Sequence, residues 1–292
     1  MEGNVSRGTK TTPMKTEICS VKDHLVSGKF FSVMWDETAQ IAKTEPAPKE
    51  HEMHSYYDSD EYISHNHSSK SLVNFLYGFV QKLMFRVKKD MFKNHLSDSY
   101  SVLDYGCGVG GFLKYLSKEN VEANGIETNS NARSLAKQQG LFVYNSWNES
   151  PNKKYDLITL WHVFEHIPNL KESILEFDKR LNKEGVLLIA VPNLKSYDAS
   201  YYNEFWAAYD VPRHLWHFSQ DGIISLLDQE GFILVDKRPL IMDALYISYV
   251  SEKYKGSRFP LIKGVYRGIH SNLKAVSSGE YSSLVYLFKK KN

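Results

Sequence analysis

Four glycines fall within six positions of the stretch LDYGCGVGGFL, residues 103–113: Gly106, Gly108, Gly110 and Gly111. They follow a short apolar run that ends in Asp104 and Tyr105. Glycine loses more backbone freedom on folding than any other residue. Such a cluster is therefore costly unless the chain must turn sharply there, or something must come close to bare main chain.

The flanking pattern supplies a setting. From residue 100 onward, short apolar runs alternate with amphipathic ones. Strands are predicted over 101–105, 121–127, 141–144, 155–161, 185–192, 232–238 and 281–289. Helices are predicted between them, at GFLKYLSKEN, NSNARSLAKQQG, LKESILEFDKRLN and DGIISLLDQEG. Asn129 is placed to cap the second helix and Gly140 to stop it. This alternation predicts βαβ units and a parallel sheet covered on both faces. The glycines then sit at the first strand–helix turn, at the carboxyl end of the sheet, where open α/β folds bind ligands. Glu127 closes the second strand, 21 residues after Gly106. A carboxylate there can accept both ribose hydroxyls of a nucleoside. Gly106, Gly108 and Gly111 also satisfy G-x-G-x-x-G, the dinucleotide fingerprint, so an NAD(P)-dependent oxidoreductase is one reading. Asp104 speaks against it, because a dinucleotide-binding strand is usually apolar up to its first glycine.

With Asp104 in place, VLDYGCGVGGFL resembles motif I of the class I S-adenosylmethionine-dependent methyltransferases. GIETN (125–129), YDLITLWHVFEHIPN (155–169) and GVLLIAVPN (185–193) look like that family's second, fourth and fifth strand regions, in order. DVPRHLWHFS (210–219) is similar to the stand-alone group called methyltransferase domain 23, near the quinone O-methyltransferases. EYISH (61–65) and GEYSSLVYLFKK (279–290) look like parts of the same group. The resemblance implies a Rossmann-like α/β fold: a seven-stranded, mostly parallel sheet with helices on both faces, plus an N-terminal helical cap. It implies S-adenosylmethionine as cofactor. It implies cofactor contacts from Asp104, Gly106, Cys107, Gly108, Glu127, Thr128, Ser146, Trp147, Trp161 and His162. Tyr57, Tyr62 and His65 would belong to a cap over the cofactor.

The implied reaction is methyl transfer to a small-molecule, glycan or lipid-linked acceptor, with oxygen preferred over nitrogen. An oxygen acceptor must lose its proton at or before attack, and histidine is the natural base near neutral pH. His162, His166 and His214 are the catalytic candidates, with His217 nearby; a structural role for His166 is an equal alternative. The segment 193–218 carries Tyr197, Tyr201, Tyr202, Phe205, Trp206, Tyr209, Trp216 and Phe218. Those rings either line an acceptor site or pack a lid, and Asp210 and Arg213 are placed to pair within it. A non-catalytic protein of the same fold stays open as a further reading.

HVFEH, His162–His166, is a literal zinc-protease motif. It begins directly after a strand, and Pro168 follows His166 by two residues, which does not suit the long helix a zinc site needs. No metal is expected. Cys19 and Cys107 have no paired spacing, so neither a disulfide framework nor a cysteine-rich zinc site is predicted. In the related group a zinc-ribbon-like start is common; here Cys19 stands alone.

Residues 1–53 read as a polar N-terminal region, a poorly ordered tail with a short hairpin near KFFSVMW or a degenerate zinc-ribbon-like module. Residues 54–98 read as a cap segment with an amphipathic helix over 69–96, and 99–292 as the catalytic domain with acceptor-side insertions at 193–218 and 239–278. The helix is expected to pack on the catalytic domain rather than on a bilayer, although 239–275 is also apolar and basic. The formal charge is +2, so no nucleic-acid partner is expected. No secretory signal or run of about 18 apolar residues occurs, which predicts a cytoplasmic protein. The sequence sets no oligomeric state.

Overall fold

The computed structural model describes residues 15–57, 83–119 and 121–291. Its strands, numbered along the chain, are β1 (Lys15–Lys22), β2 (Phe30–Asp36), β3 (Ile41–Glu45), β4 (Tyr100–Tyr105), β5 (Val121–Ile126), β6 (Phe142–Tyr144), β7 (Tyr155–Trp161), β8 (Leu181–Pro192), β9 (Trp216–Phe218), β10 (Phe232–Pro239) and β11 (Ser283–Lys290). Seven of them form one sheet in the order β10-β11-β8-β7-β4-β5-β6. The pairs among β4–β8 are parallel, while β11 runs antiparallel to both neighbours. The chain moves outward from β4 through β5 to β6, then returns to β7 on β4's other side. That reversal opens a crevice at the carboxyl end of β4, where such sheets bind ligands.

The central strands are apolar on both sides of the pleat, so both faces must be covered. Leu103, Ile158, Leu187 and Ile189 pack with Ile174 and Phe177 of the helix Leu170–Arg180 and with Ile223 and Leu227 of Gln220–Gln229. The intervening Val102, Leu157, Val186 and Leu188 face Phe112 and Leu116 of the helix Gly111–Leu116. Phe92, at the end of a helical stretch over 83–92, is fully buried in that second layer. Each such side chain contributes about 1.5–3 kcal/mol on burial. The described part of the amphipathic helix therefore packs on the catalytic domain. The remainder of that helix, and Tyr62 and His65, lie outside the described residues.

Residues 15–45 are more ordered than the tail expected of them: the hairpin expected near KFFSVMW is present, within a larger sheet. β1, β2 and β3 form an antiparallel meander, and β9 extends it through the register Ile41↔Phe218, Ala42↔His217 and Lys43↔Trp216. Alternation explains the order. Val21, Phe31, Val33 and Ala42 share one face and are buried against Tyr202, Trp206, Tyr209 and Val211. Most of the other positions are polar or exposed, Ile41 being an exception buried in the main core, and this interleaving hides the pattern in composition. Half of the rings of 193–218 are thus packing: Tyr202, Trp206, Tyr209 and Phe218 are buried, while Tyr197, Tyr201, Phe205 and Trp216 are half-buried.

Between β10 and β11 the chain forms a helical hairpin, Ile241–Tyr254 and Pro260–Ser278. The two axes come close because Gly264 and Gly268 lie at the contact. A Cβ on Gly264 would stand 2.4 Å from Tyr249 Cα, and one on Gly268 2.6 Å from the Ala244 carbonyl oxygen. Buried Asp198 ties this hairpin to the lid: it accepts from Ser271 Oγ at 2.7 Å, Trp206 Nε1 at 2.8 Å and Ser282 Oγ at 2.6 Å.

Candidate active site

The turn after β4 begins as two main-chain donors reach across to β5: the N–H groups of Gly106 and Cys107 both donate to the Ile126 carbonyl, at 2.8 and 3.1 Å. Gly106, Gly108 and Gly110 all have positive φ, between 55° and 78°. Their surroundings differ. A Cβ on Gly106 would lie 2.4 Å from Val163 Cγ2, and one on Gly110 2.4 Å from Leu141 Cδ1. A Cβ on Gly108 would meet nothing within 4 Å. Gly108 alone therefore presents open main chain to a ligand. Its N–H donates to Glu127 Oε2 at 2.8 Å, while Glu127 Oε1 accepts from the Asn129 N–H at 2.7 Å. The carboxylate is thus held against the loop at the end of β5.

Asp104 is buried at the end of β4 and accepts from Thr159 Oγ1 of β7 at 2.7 Å. Burial pushes its carboxyl up to about 6, and the Glu127 charge adds to this; the Thr159 hydrogen bond and the Lys88 ammonium oppose it. Lys88, on the 83–92 helix, lies with Nζ 4.3 Å from the centre of the Trp161 ring. Burial pulls its amine down, against the attraction of Asp104 and Asp243. The Trp161 face therefore already receives a cation, and its buried Nε1–H has no hydrogen-bond partner.

His162 follows β7 with φ +56°, a strained position for a residue other than glycine. Its Nε2 lies 2.9 Å from Asp243 Oδ2 and its Nδ1 3.5 Å from Glu165 Oε1. Burial opposes charging of the ring, but Asp243 and then Glu165 overcome it and hold the pKa at about 10. Glu165 is itself buried, and burial is outweighed by His162 and His214, which bring it to about 2. His162 is thus an imidazolium at neutral pH, a poor proton acceptor. His166 is the reverse case: burial and the neighbouring His214 lower it to about 4, so it is neutral. Its Nδ1 lies 2.9 Å from the Arg213 carbonyl and 3.1 Å from the Tyr57 hydroxyl. Nδ1–H donation to that carbonyl leaves Nε2 as the acceptor nitrogen. His217, lowered to about 3 by burial and His214, has its Nε2 2.9 Å from Thr44 Oγ1, which itself donates to the His214 carbonyl. It is a structural link between β9 and β3.

Cys107 turns its thiol inward against Gly125 and Leu113, and burial pushes the thiol pKa up. Thr128 is exposed, and its carbonyl accepts from Arg133 Nη1 at 3.0 Å. Trp147 stacks on Tyr105 at 5.5 Å between ring centres, and the Ser146 carbonyl accepts from the N–H of Glu149 at 3.2 Å. The structure thus gathers Asp104, Gly108, Glu127, Trp161 and His162 around one crevice mouth. The expected Asp210–Arg213 pair is present, and Arg213 also reaches Asp23 of the N-terminal sheet. In HVFEH, residues 164–166 form one turn of 3₁₀ helix, and the two histidines have separate partners. Glu165, His166 and His214 do offer three ligand atoms within 4.8 Å of one another. Lys88 and Asp243 are site residues that sequence reasoning missed. Lys88 sits in a lysine doublet with nothing local to single it out. Asp243 lies about 80 positions from the histidine it meets.

A seven-stranded sheet with only β11 reversed, a ligand-facing glycine loop after its first strand, and acids closing its first two strands together define a class I S-adenosylmethionine-dependent methyltransferase. The family model described as "Methyltransferase domain" matches residues 76–237, more than half of the chain, and the chain belongs to that family. The oxidoreductase reading of the glycine loop is thereby set aside. The chain is similar to a ubiquinone biosynthesis O-methyltransferase of Pelagibacter ubique, 25% identical over 225 residues, which span 68% of this chain and 93% of the relative. A protein of the same description from Rickettsia canadensis is 25% identical over 166 residues, 51% of this chain and 70% of the relative. A crystal structure of coclaurine N-methyltransferase bound to N-methylheliamine and S-adenosylhomocysteine aligns over 72% of each chain, with 16% identity and a TM-score of 0.48.

Proposed function

We propose that the chain methylates an oxygen atom of a small-molecule acceptor, and that His166 is the base. The observation that carries this reading is a histidine held neutral on the loop that follows β7, the strand that pairs with β4, whose end and loop offer Asp104 and Gly108 to the cofactor, with Glu127 held against that loop. The residues suit S-adenosylmethionine: bare main chain at Gly108, a carboxylate for the ribose hydroxyls at Glu127, and a buried carboxylate for the methionine ammonium at Asp104. Ser146 and Trp147 lie at the adenine side, with Gly106, Cys107 and Thr128 framing the loop. When bound, S-adenosylmethionine supplies a methyl group on a sulfonium with a good leaving group. The protein's work is then orientation and proximity. His166 takes the acceptor's hydroxyl proton on Nε2, while its Nδ1–H stays on the Arg213 carbonyl. His162 fixes the acceptor side electrostatically through Glu165 and Asp243 rather than by accepting a proton. His214, with Nδ1 on the Ala208 carbonyl at 2.8 Å, positions His166 through its ring.

The names of the two relatives support oxygen as the acceptor atom. A cytoplasmic location belongs to the same reading and is supported by the two unpaired cysteines. The test is methyl-labelled S-adenosylmethionine with a panel of phenols, alcohols and amines. Label on oxygen acceptors is expected, with loss of turnover but not of cofactor binding in His166→Asn. Label confined to amines would overturn the oxygen assignment, and undiminished turnover in His166→Asn would remove the base.

A further inference from the structure

We propose that the helical hairpin 241–278 is a docking surface for an anionic lipid bilayer, with the outer face of Pro260–Ser278 lying in the interface. Leu261, Ile262, Val265, Tyr266, Ile269, Leu273 and Val276 are all exposed, from 38% at Val265 to 74% at Val276. At 100° per residue these seven fall within one arc of about 140°, a broad apolar face on a 19-residue helix. Gly264, Gly268, Ser271 and Ala275 occupy a separate arc and are buried, the two glycines against the partner helix and Ser271 against Asp198. The apolar face is therefore not the side that packs on the protein. Exposed Phe259 extends it at one end.

Charge selects the occupant. Residues 241–278 contain six basic side chains, Lys253, Lys255, Arg258, Lys263, Arg267 and Lys274, and two acids, Asp243 and Glu252. Both acids are turned inward: Asp243 meets His162, and buried Glu252 accepts from the Tyr202 hydroxyl at 3.2 Å. Lys253, Lys255, Arg258, Lys263 and Lys274 are exposed. Lys263 and Lys274 follow the apolar arc on one side, beyond Ser277 and His270, and the helix Pro260–Ser278 carries no acid. An apolar face on a helix whose only formal charges are cations is complementary to acyl chains beneath anionic headgroups. A second copy of the chain would bring the same cations against each other. No described helix is long and apolar enough to cross a membrane, so the contact is interfacial. Exposed Ile241 and Met242 directly precede Asp243, which meets His162 and acts on Lys88 together with Asp104, so the start of this hairpin lies beside the site.

The experiment is co-sedimentation of the full chain with vesicles, without cofactor, so that its result is independent of the methyltransferase chemistry. Pelleting is expected with equal parts phosphatidylglycerol and phosphatidylcholine, weaker with phosphatidylcholine alone, and falling as salt is raised. Ile262→Glu with Leu273→Glu should weaken anionic-vesicle binding about tenfold or more. Lys263→Gln with Lys274→Gln, which leaves the apolar face intact, should weaken it on anionic vesicles only. Both double variants should keep the wild-type melting temperature and S-adenosylmethionine affinity. A wild-type chain that stays in solution with anionic vesicles overturns the proposal. So does light scattering that shows a dimer, converted to monomer by Ile262→Glu and Leu273→Glu, with no vesicle binding by either form.

Discussion

His162 Nε2 lies 2.9 Å from Asp243 Oδ2, joining the loop behind β7 to the first turn of the hairpin. With Glu165 on its other nitrogen, the ring stays charged up to about 10. A histidine pKa raised on folding contributes stability that is present below its unfolded value, about 6.5, and is lost as pH rises through the folded one. Melting temperature should therefore fall as pH climbs toward 10, and Asp243→Asn should flatten that decline. The pair is partly exposed, so the effect is held to about 1 kcal/mol. An imidazole resonance of His162 titrating near 6.5 in the native protein would contradict the assignment.

Gly108 and Gly110 separate binding from folding. Gly108→Val enters open space, so it costs only the strain of its left-handed backbone, about 1–2 kcal/mol. It should abolish S-adenosylmethionine binding in calorimetry. Gly110→Val adds a collision with Leu141 and should lower the melting temperature further. Equal cofactor affinity in Gly108→Val and the native chain would move the ligand away from this loop.

Glu127→Ala removes the carboxylate offered to the ribose. Charge-assisted hydrogen bonds contribute about 1.5–3 kcal/mol, so affinity should fall about 10- to 100-fold. Unchanged calorimetric affinity would refute the role.

Asp104 makes cofactor binding depend on pH. Burial raises its carboxyl to about 6, so it is ionised above that value and protonated below it. Affinity for the cationic methionine end should drop as pH falls through about 6. Lys88 opposes the upward shift, so Lys88→Met should move the midpoint to higher pH. A midpoint that stays in place or moves down in Lys88→Met would mean the ammonium does not act on Asp104.

Arg213 joins three parts of the chain. Its Nη2 donates to Asp210 Oδ1 at 2.7 Å and to Asp23 Oδ1 at 3.1 Å, and its Nη1 donates to the Tyr56 carbonyl at 3.2 Å. Arg213→Met leaves two acids without their cation, a change that costs about 3–5 kcal/mol when such a pair is buried. Urea titration should show that loss, and a midpoint equal to that of the native chain would exclude it.

Local signals made the sheet and its loop legible. The strand–helix alternation from residue 100, the glycine turn, Asp104 and Glu127 all announce themselves within a few positions. The three φ-positive loop glycines read alike in sequence, yet only Gly108 faces open space. Of the meander 15–45 only the hairpin near KFFSVMW is legible, because the apolar positions are interleaved with polar ones and find their cover about 170 residues away, at Trp206 and Tyr209. The same distance hid the division of labour among the histidines. Whether a ring is charged depends on Asp243 or on burial beside His214, and neither is visible in HVFEH. The aromatic segment 193–218 was ambiguous for a related reason: a ring that packs and a ring that binds look the same until its neighbours are known.

The placement of β11 has a practical result for anyone trimming this chain. β10, at the margin of the larger sheet, pairs with β11 and with no other strand of it. A fragment cut to the family-matched stretch 76–237 would therefore keep β8 and most of β10 but lack the wedge that seats both. The slot it leaves, two strand-widths from the cofactor crevice, would be a ready receptor for any extended segment, including the excised one added back as a peptide.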